Sequence, residues 1–275
     1  MRIALTGSNG MLGNDIKKVF KDVELASLTR KDLDITSLDQ SVSRIKEISP
    51  DYLIHSAAYT DVDGCEQDPE KAYLVNGIGT RNVTIACEEV KCPILYISSD
   101  YVFDGASKEP YHEWDLTGPV TRYGRSKLMG EQFVHSFTNR FYIVRTSWLY
   151  GKNGKNFVDT ICRLLSEKDE IDVVDDQIGS PTYTYDLAFT LRELIGKGYG
   201  TYHITNSSHC SWFEFAQAIA RLKSSNTKIV PTTTDTFNRP AKRPAYSVLD
   251  NTMLRLEGIG ELRHWEDALR EYLST

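Results

Sequence analysis

Short apolar runs alternate with stretches of helical periodicity, the first run opens onto a glycine-rich turn, and a later run delivers Ser99 and Asp100 to its carboxyl end. These observations predict an α/β fold: a Rossmann-type doubly wound parallel sheet with a smaller C-terminal α/β domain. Residues 1–150 read as the dinucleotide-binding domain and 151–275 mainly as a substrate domain, with the chain crossing back to the first. A chain of 275 residues, 40 % of them hydrophobic, can bury such a core.

Arg2 to Thr6 is an apolar strand that runs into Gly7-Ser8-Asn9-Gly10-Met11-Leu12-Gly13. Leu12, Ile16, Val19 and Phe20 then share one helical face. Strand, glycine turn and helix in that order open a dinucleotide-binding unit. The spacing Gly-x-x-Gly-x-x-Gly differs from the commoner Gly-x-Gly-x-x-Gly but meets the same needs. These are a tight turn, close approach of main chain to a pyrophosphate, and helix N-terminal amides aimed at the anion.

Glu24 to Leu28 is the second strand. At its end an acidic residue binds the ribose 2′-hydroxyl of NAD, and a basic one accommodates the 2′-phosphate of NADP. Thr29, Arg30 and Lys31 favour NADPH, while Asp32 and Asp34 keep NADH open. A third strand, Asp51 to His55, ends at Ser56-Ala57-Ala58-Tyr59, small residues that let a ring or phosphate lie against main chain. Ala72 to Glu89 reads as helix interrupted at Asn76-Gly77 and Gly79. Pro93 to Ser98 is a buried strand, and ligands of open α/β sheets bind at the carboxyl ends of strands.

Tyr123 and Lys127 stand four apart on a helical segment, one above the other on the same face. A nearby ammonium favours the phenolate and lowers its pKa, which suits proton transfer. Tyr-x-x-x-Lys alone occurs often by chance; the glycine turn and Ser98-Ser99-Asp100 give it weight. Strand Phe141 to Arg145 follows. Past Gly151 come helix Phe157 to Ser166, a turn-rich Gln177 to Thr182, helix Tyr185 to Ile195 and strand Thr201 to Thr205. Helix Ser211 to Leu222, strand Lys228 to Val230, a basic loop from Arg239 to Pro244 and helix Trp265 to Leu273 complete the chain. Arg239 and Arg243 are candidates for a diphosphate, since guanidinium matches phosphate bidentately.

A net charge of −6 and a pI near 5.6 argue against nucleic acid or an anionic membrane as the main partner. No apolar run is long enough to span a bilayer, and Met1 to Gly7 enters a strand without a signal-peptide layout. The five cysteines are scattered without zinc spacing and read as reduced structural thiols, and the histidines read as structural or surface. A cytoplasmic protein is expected.

In this order and spacing, Thr6-Gly7-x-x-Gly10-x-x-Gly13, Ser98 to Phe103 and Tyr123-x-x-x-Lys127 resemble the extended short-chain dehydrogenase/reductases. Ala57 to Asp63, Arg145 to Gly151, Gln177 to Thr182 and Arg239-Pro240 through Arg243-Pro244 narrow the resemblance to the dTDP-4-dehydrorhamnose reductases, over essentially the whole length. The resemblance implies NADPH- or NADH-dependent reduction of the C4 ketone of a dTDP-linked 4-keto-6-deoxyhexose, giving dTDP-L-rhamnose for polysaccharide biosynthesis. It implies Tyr123 as catalytic acid and Lys127 as holder of the nicotinamide ribose. Ser99, where the family usually has Thr, would bond the sugar carbonyl. Asp100 and Trp148, with Tyr101 beside them, would meet the sugar nucleotide. Gly7, Gly10, Met11, Leu12 and Gly13 would surround the pyrophosphate, Asp34 and Ile35 the adenine, and Ala57, Ala58 and Tyr59 the cofactor groove.

Some members form dimers bridged by Mg²⁺ through glutamates, and Asp15 and Asp186 stand near where two of those would fall. A homodimer and Mg²⁺ are therefore open expectations, with no metal ligand assigned. The alternatives are another extended nucleotide-sugar reductase or epimerase, or a non-catalytic NADP-binding subunit resembling the regulatory subunit of methionine adenosyltransferase. Dehydratases place Glu after the Asp, where this chain has Tyr101.

Overall fold

The computed structural model describes residues 1–237 and 239–274. β1 (Arg2–Thr6) leads through the glycine turn into α1 (Met11–Val19), β2 (Glu24–Leu28), α2 (Leu38–Ile48) and β3 (Tyr52–His55). Next come α3 (Val62–Gln67), α4 (Pro69–Ala72), a π-helical turn over Tyr73–Ile78 and α5 (Gly79–Glu89). β4 (Ile94–Ser99), α6 (Arg122–Phe137), β5 (Phe141–Thr146) and β6 (Leu149–Tyr150) follow. After them stand α7 (Phe157–Glu167), β7 (Glu170–Val174), β8 (Ile178–Gly179), β9 (Thr182–Tyr183) and α8 (Thr184–Leu194). The chain ends in β10 (Gly200–His203), β11 (Cys210–Ser211), α9 (Trp212–Leu222), β12 (Lys228–Thr232), α10 (Thr252–Leu256) and α11 (Trp265–Ser274).

The six-stranded central sheet has the order β10-β5-β4-β3-β1-β2, with every pairing parallel. From β1 the chain steps outward to β2, then returns past β1 to β3 and continues the other way. That reversal is the topological switch, where the carboxyl ends of the strands leave a crevice. One face is covered by α1 and α8, whose Leu12, Ile16, Leu187 and Leu191 pack on Leu5, Leu95 and Val144. The other is covered by α2, α5 and α6, through Ile45, Val83, Ala86 and Val134. β10, from the C-terminal part, forms the sheet edge beside β5.

Three local departures from the sequence reading have physical causes. The helix around Asn76-Gly77 is not broken; it widens into the π turn. Asn76 is buried there, donating to the Tyr59 carbonyl (3.0 Å) and Ser126 Oγ (2.9 Å) and accepting from the Tyr59 amide (2.7 Å). Helix α2 was not anticipated: Ser37 caps it by accepting from the Gln40 amide, but Ser41, buried and donating to the Ser37 carbonyl (2.9 Å), dilutes the apolar periodicity. Strand β7 was also not anticipated. Its Glu-Ile-Asp-Val-Val alternation is short, and its parallel partner β12 lies far along the chain.

β7 and β12 belong to a satellite layer with its own core, in which Ile161, Phe215, Ile219, Trp265 and Tyr272 pack together. Among the described residues no helix is long and apolar enough to cross a membrane. All five cysteines are free thiols.

Candidate active site

A cleft of ≈ 660 Å³ opens over the carboxyl ends of β1 to β5, lined by Thr6, Leu28, Ser56, Ser99 and Thr146 among others. That is the size range of small-molecule and cofactor sites.

Its first end is made of main chain. Gly7 has φ +70°, and a Cβ on it would lie 2.7 Å from the Ala57 nitrogen; one on Gly13 would lie 2.4 Å from the Gly7 carbonyl oxygen. Glycine is therefore required at both by space. Gly10 stands at the N-cap of α1 with no side-chain cap, so the amides of Met11, Leu12 and Gly13 begin the helix beside the cleft without a protein side chain to satisfy them. Ile35, Ala57, Ala58 and Tyr59 line the same end.

At the end of β2 each carboxylate is held by a threonine, and the charge of Arg30 also reaches Asp34. Asp32 accepts from the Thr29 amide (2.9 Å) and hydroxyl (2.6 Å), and Asp34 accepts from the Thr36 amide (3.0 Å) and hydroxyl (2.7 Å). These bonds hold both carboxyls below the usual carboxylate range. Arg30 is exposed on the cleft rim, and among the described residues no carboxylate pairs with it.

The second end is made of side chains. Ser99 closes β4, donating to Asp100 Oδ1 (2.8 Å) and accepting from the Tyr101 amide (3.2 Å). Asp100 is 2 % exposed, and among the described residues its Oδ2 accepts no hydrogen bond of good geometry; burial pushes its carboxyl up to about 6, opposed by Ser247 and Ser99. Tyr123 is the second residue of α6, which Thr121 caps by accepting from the Gly124 amide (3.0 Å). Tyr101 meets it edge-on, ring centroids 5.4 Å apart.

The expected effect of Lys127 on Tyr123 is corrected here. Burial, then the charge of Asp100, pushes the Tyr123 phenol above its ordinary value, opposed by a hydrogen bond with Ser99. Lys127 instead donates to the Ile97 carbonyl (2.7 Å) and lies 4.3 Å over the Tyr96 ring. Burial pulls its ammonium down to about 7, with Glu131 one turn later opposing. Glu131 is itself held by Arg145 Nε (3.0 Å), Arg145 Nη2 (2.8 Å) and the Ser98 hydroxyl (2.5 Å).

Trp148 lines the cleft and stacks on Trp212. Arg239 and Arg243 do not line it. Both guanidiniums face Asp63, at 3.1 and 3.5 Å, and their charge reaches Tyr101. Sequence reasoning passed over Lys155, on the loop before α7, and Lys71, on the short α4, which line the cleft without motif spacing; Lys71 lies 4.4 Å over the Tyr59 ring. It also passed over Asn76, signalled only by Asn-Gly inside a helix, and Trp212.

Asp15 accepts from Thr184 Oγ1 (2.5 Å) and Lys18 (2.7 Å), and Asp186 accepts from Arg263 (2.6 Å) and Asn206 (2.7 Å). Among the described residues no group of three or more His, Cys, Asp or Glu is placed to hold a metal.

A doubly wound parallel sheet, an open helix N-terminus at its switch point and a Tyr–Lys pair beside the strand ends define the class: a nicotinamide-dependent oxidoreductase of the short-chain dehydrogenase/reductase type. The family model described as RmlD substrate binding domain matches residues 1–275. The chain is 42 % identical to the spore coat polysaccharide biosynthesis protein SpsK of Bacillus subtilis, covering 99 % of this chain and 96 % of that one. It is 40 % identical to a dTDP-4-dehydrorhamnose reductase of Streptomyces griseus, covering 98 % and 92 %. A solved dTDP-4-dehydrorhamnose reductase of Bacillus anthracis in complex with NADP superposes with TM-score 0.97 at 44 % identity, covering 99 % of this chain and 98 % of that one. The chain belongs to the dTDP-4-dehydrorhamnose reductase family.

Proposed function

We propose that this chain reduces the C4 ketone of dTDP-4-dehydro-6-deoxy-L-mannose to dTDP-L-rhamnose with NADPH, using Tyr123 as proton donor. The observation that carries the reading is that Ser99, Asp100, Tyr123 and Lys127 converge on one cleft whose other end is glycine main chain and an uncapped helix N-terminus. That cradle suits a pyrophosphate, and the unpaired Arg30, with Asp32 and Asp34 both engaged, favours a 2′-phosphate over a bare ribose. Bound there, NADPH supplies the hydride.

The chain's own residues handle the proton and the developing charge. Tyr123 is held in its acid form by burial, so it enters the reaction carrying the proton it gives to the C4 alkoxide. Lys127 brings positive charge to the new phenolate, and its pull to about 7 leaves it able to share a proton at working pH. Ser99 donates to Asp100 in this arrangement, so its support of the sugar oxygen requires its hydroxyl to turn from the carboxylate. Asp100, buried and with Oδ2 accepting no hydrogen bond of good geometry among the described residues, is placed to accept a sugar hydroxyl. Arg239 and Arg243, near Tyr101 but anchored to Asp63, are placed for the substrate diphosphate at the mouth rather than in the wall.

The test is loss of 340 nm absorbance with purified protein, NADPH or NADH, and the keto-sugar nucleotide generated in the cuvette. Oxidation that requires the sugar establishes the reaction and ranks the cofactors. NADPH binding without sugar-dependent oxidation overturns this substrate.

A further inference from the structure

Trp148 holds a backbone conformation that large side chains seldom adopt, φ +47°. Such strain persists only where the surroundings enforce it. Here the enforcement comes from the satellite layer. The indole of Trp148 lies parallel to that of Trp212, centroids 3.5 Å apart and planes 4° from each other. Gly179 presses main chain against the same ring: a Cβ there would lie 2.5 Å from Cε2 and 2.6 Å from Nε1 of Trp148. Ser147 donates to the Ser180 carbonyl (2.7 Å), tying the loop to the same segment.

Trp212 is in turn not free to move. It begins α9, which Ser211 and Glu214 close with a reciprocal capping box. Its indole nitrogen donates to Gln177 Oε1 (3.2 Å), and Phe157 packs 4.4 Å from its ring. Trp212 is not part of the cleft lining, yet it faces the Trp148 ring that is.

Tyr123 and the cofactor cradle are both held by the central sheet and its helices, so the hydride and the proton arrive from fixed directions. Which face of a flat ketone meets them depends on the wall that holds the sugar ring. The geometry points to Trp212 and Gly179 as positioning residues that lock the plane of Trp148 and thereby set which face of C4 receives hydride. The inference rests on the function proposed above.

Trp212→Leu removes the stack, Gly179→Ala pushes the indole, and Trp212→Phe retains an aromatic face as the conservative variant. Each is compared with the unaltered protein for the Michaelis constant of the keto-sugar nucleotide, NADPH affinity by fluorescence titration, and the C4 epimer composition of the product by NMR. Far-ultraviolet circular dichroism reports the coupled signal of the stacked indoles and the integrity of the fold. Trp212→Leu and Gly179→Ala are expected to raise the sugar Michaelis constant about tenfold to a hundredfold, the scale of a small misplacement. They should also yield a measurable share of the other C4 epimer, with NADPH affinity within about twofold because the cradle is main chain on another part of the molecule. Trp212→Phe should restore most epimeric purity. Folded variants with unchanged sugar constant and a single epimer overturn the inference alone. An unaltered protein without sugar-dependent oxidation overturns the proposed function and the inference with it.

Discussion

At the end proposed for the dinucleotide the cleft is walled by main chain, with Gly7, Gly13 and the amides opening α1, and by small residues such as Ala57 and Ala58. At the end proposed for the sugar it is walled by Ser99, Asp100, Tyr101, Tyr123 and Trp148, side chains from β4 and the turn after it, α6 and the loop after β5. The first end tolerates changes of chemistry but no added atom, because its donors belong to the backbone. The second tolerates small changes of shape but not loss of a functional group. The electrostatics divide in the same way. The anion-binding end relies on helix amides and exposed cations such as Arg30, while the sugar end buries Asp100, Tyr123 and Lys127 where desolvation shifts each one.

The largest effect expected from breaking this division is at Tyr123. Tyr123→Phe should cut kcat by about 10²- to 10⁴-fold, the scale of lost general acid catalysis. NADPH affinity should stay within about twofold, because the cradle proposed for the pyrophosphate lies at the other end. Stopped-flow absorbance and a fluorescence titration separate the two quantities, and a matching loss in both would erase the distinction between the ends.

The converse substitution is Gly13→Ala. Its Cβ would lie 2.4 Å from the Gly7 carbonyl oxygen, so the turn must move. NADPH affinity should fall by about tenfold or more, with roughly 1–3 kcal/mol of stability lost to overpacking. The sugar end should be spared at saturating cofactor, and kcat measured there checks it.

A pH series on Lys127→Met sharpens the electrostatic half of the comparison. Burial lowers the folded-state value of Lys127 to about 7, below its unfolded value of about 10.4. Below 7 both states carry the proton, and the folded chain bears the full cost of the buried charge. Between 7 and about 10 the folded chain has released a proton that the unfolded chain keeps, so stability from this group rises with pH. Lys127→Met should therefore melt higher than the unaltered protein at pH 6, and the gap should shrink as pH rises through 7 to 9. Over the same range kcat/KM for NADPH should fall in the unaltered protein as the ammonium is lost, so activity and this stability contribution move oppositely. A melting gap independent of pH would show that Lys127 does not titrate there.

The smallest effect is expected at the mouth. Arg239 is 54 % exposed in its ion pair with Asp63, a setting in which charge pairs contribute about 0–1 kcal/mol. Arg239→Ala should raise the sugar Michaelis constant by only about twofold to fivefold, and the difference should vanish in high salt. A larger, salt-insensitive loss would place Arg239 in the wall itself.

Much of the first end was legible because its information is local. A tight turn against a helix start demands glycine at fixed offsets, and strands buried on both faces read as apolar runs, so β1, β3, β4, β5 and the Gly7–Gly13 turn follow from short windows of residues. The Tyr123–Lys127 spacing was equally local, since helix geometry alone puts both on one face. The consequence drawn from it was not local: the ammonium was expected to lower the phenol, and the burial that overrides it comes from neighbours on other elements.

The sequence by itself therefore determined where the strands of the first half lie along the chain, the glycine turn and the Tyr123–Lys127 pair, because turn sterics and helical periodicity act within a few residues. Only the tertiary structure decided that Arg239 and Arg243 meet at Asp63, that Glu131 is clamped by Arg145 and Ser98, and that Trp148 stacks on Trp212. Those contacts join residues far apart in the chain, and burial, which sets the charges of Asp100 and Lys127, is a property of everything packed around them.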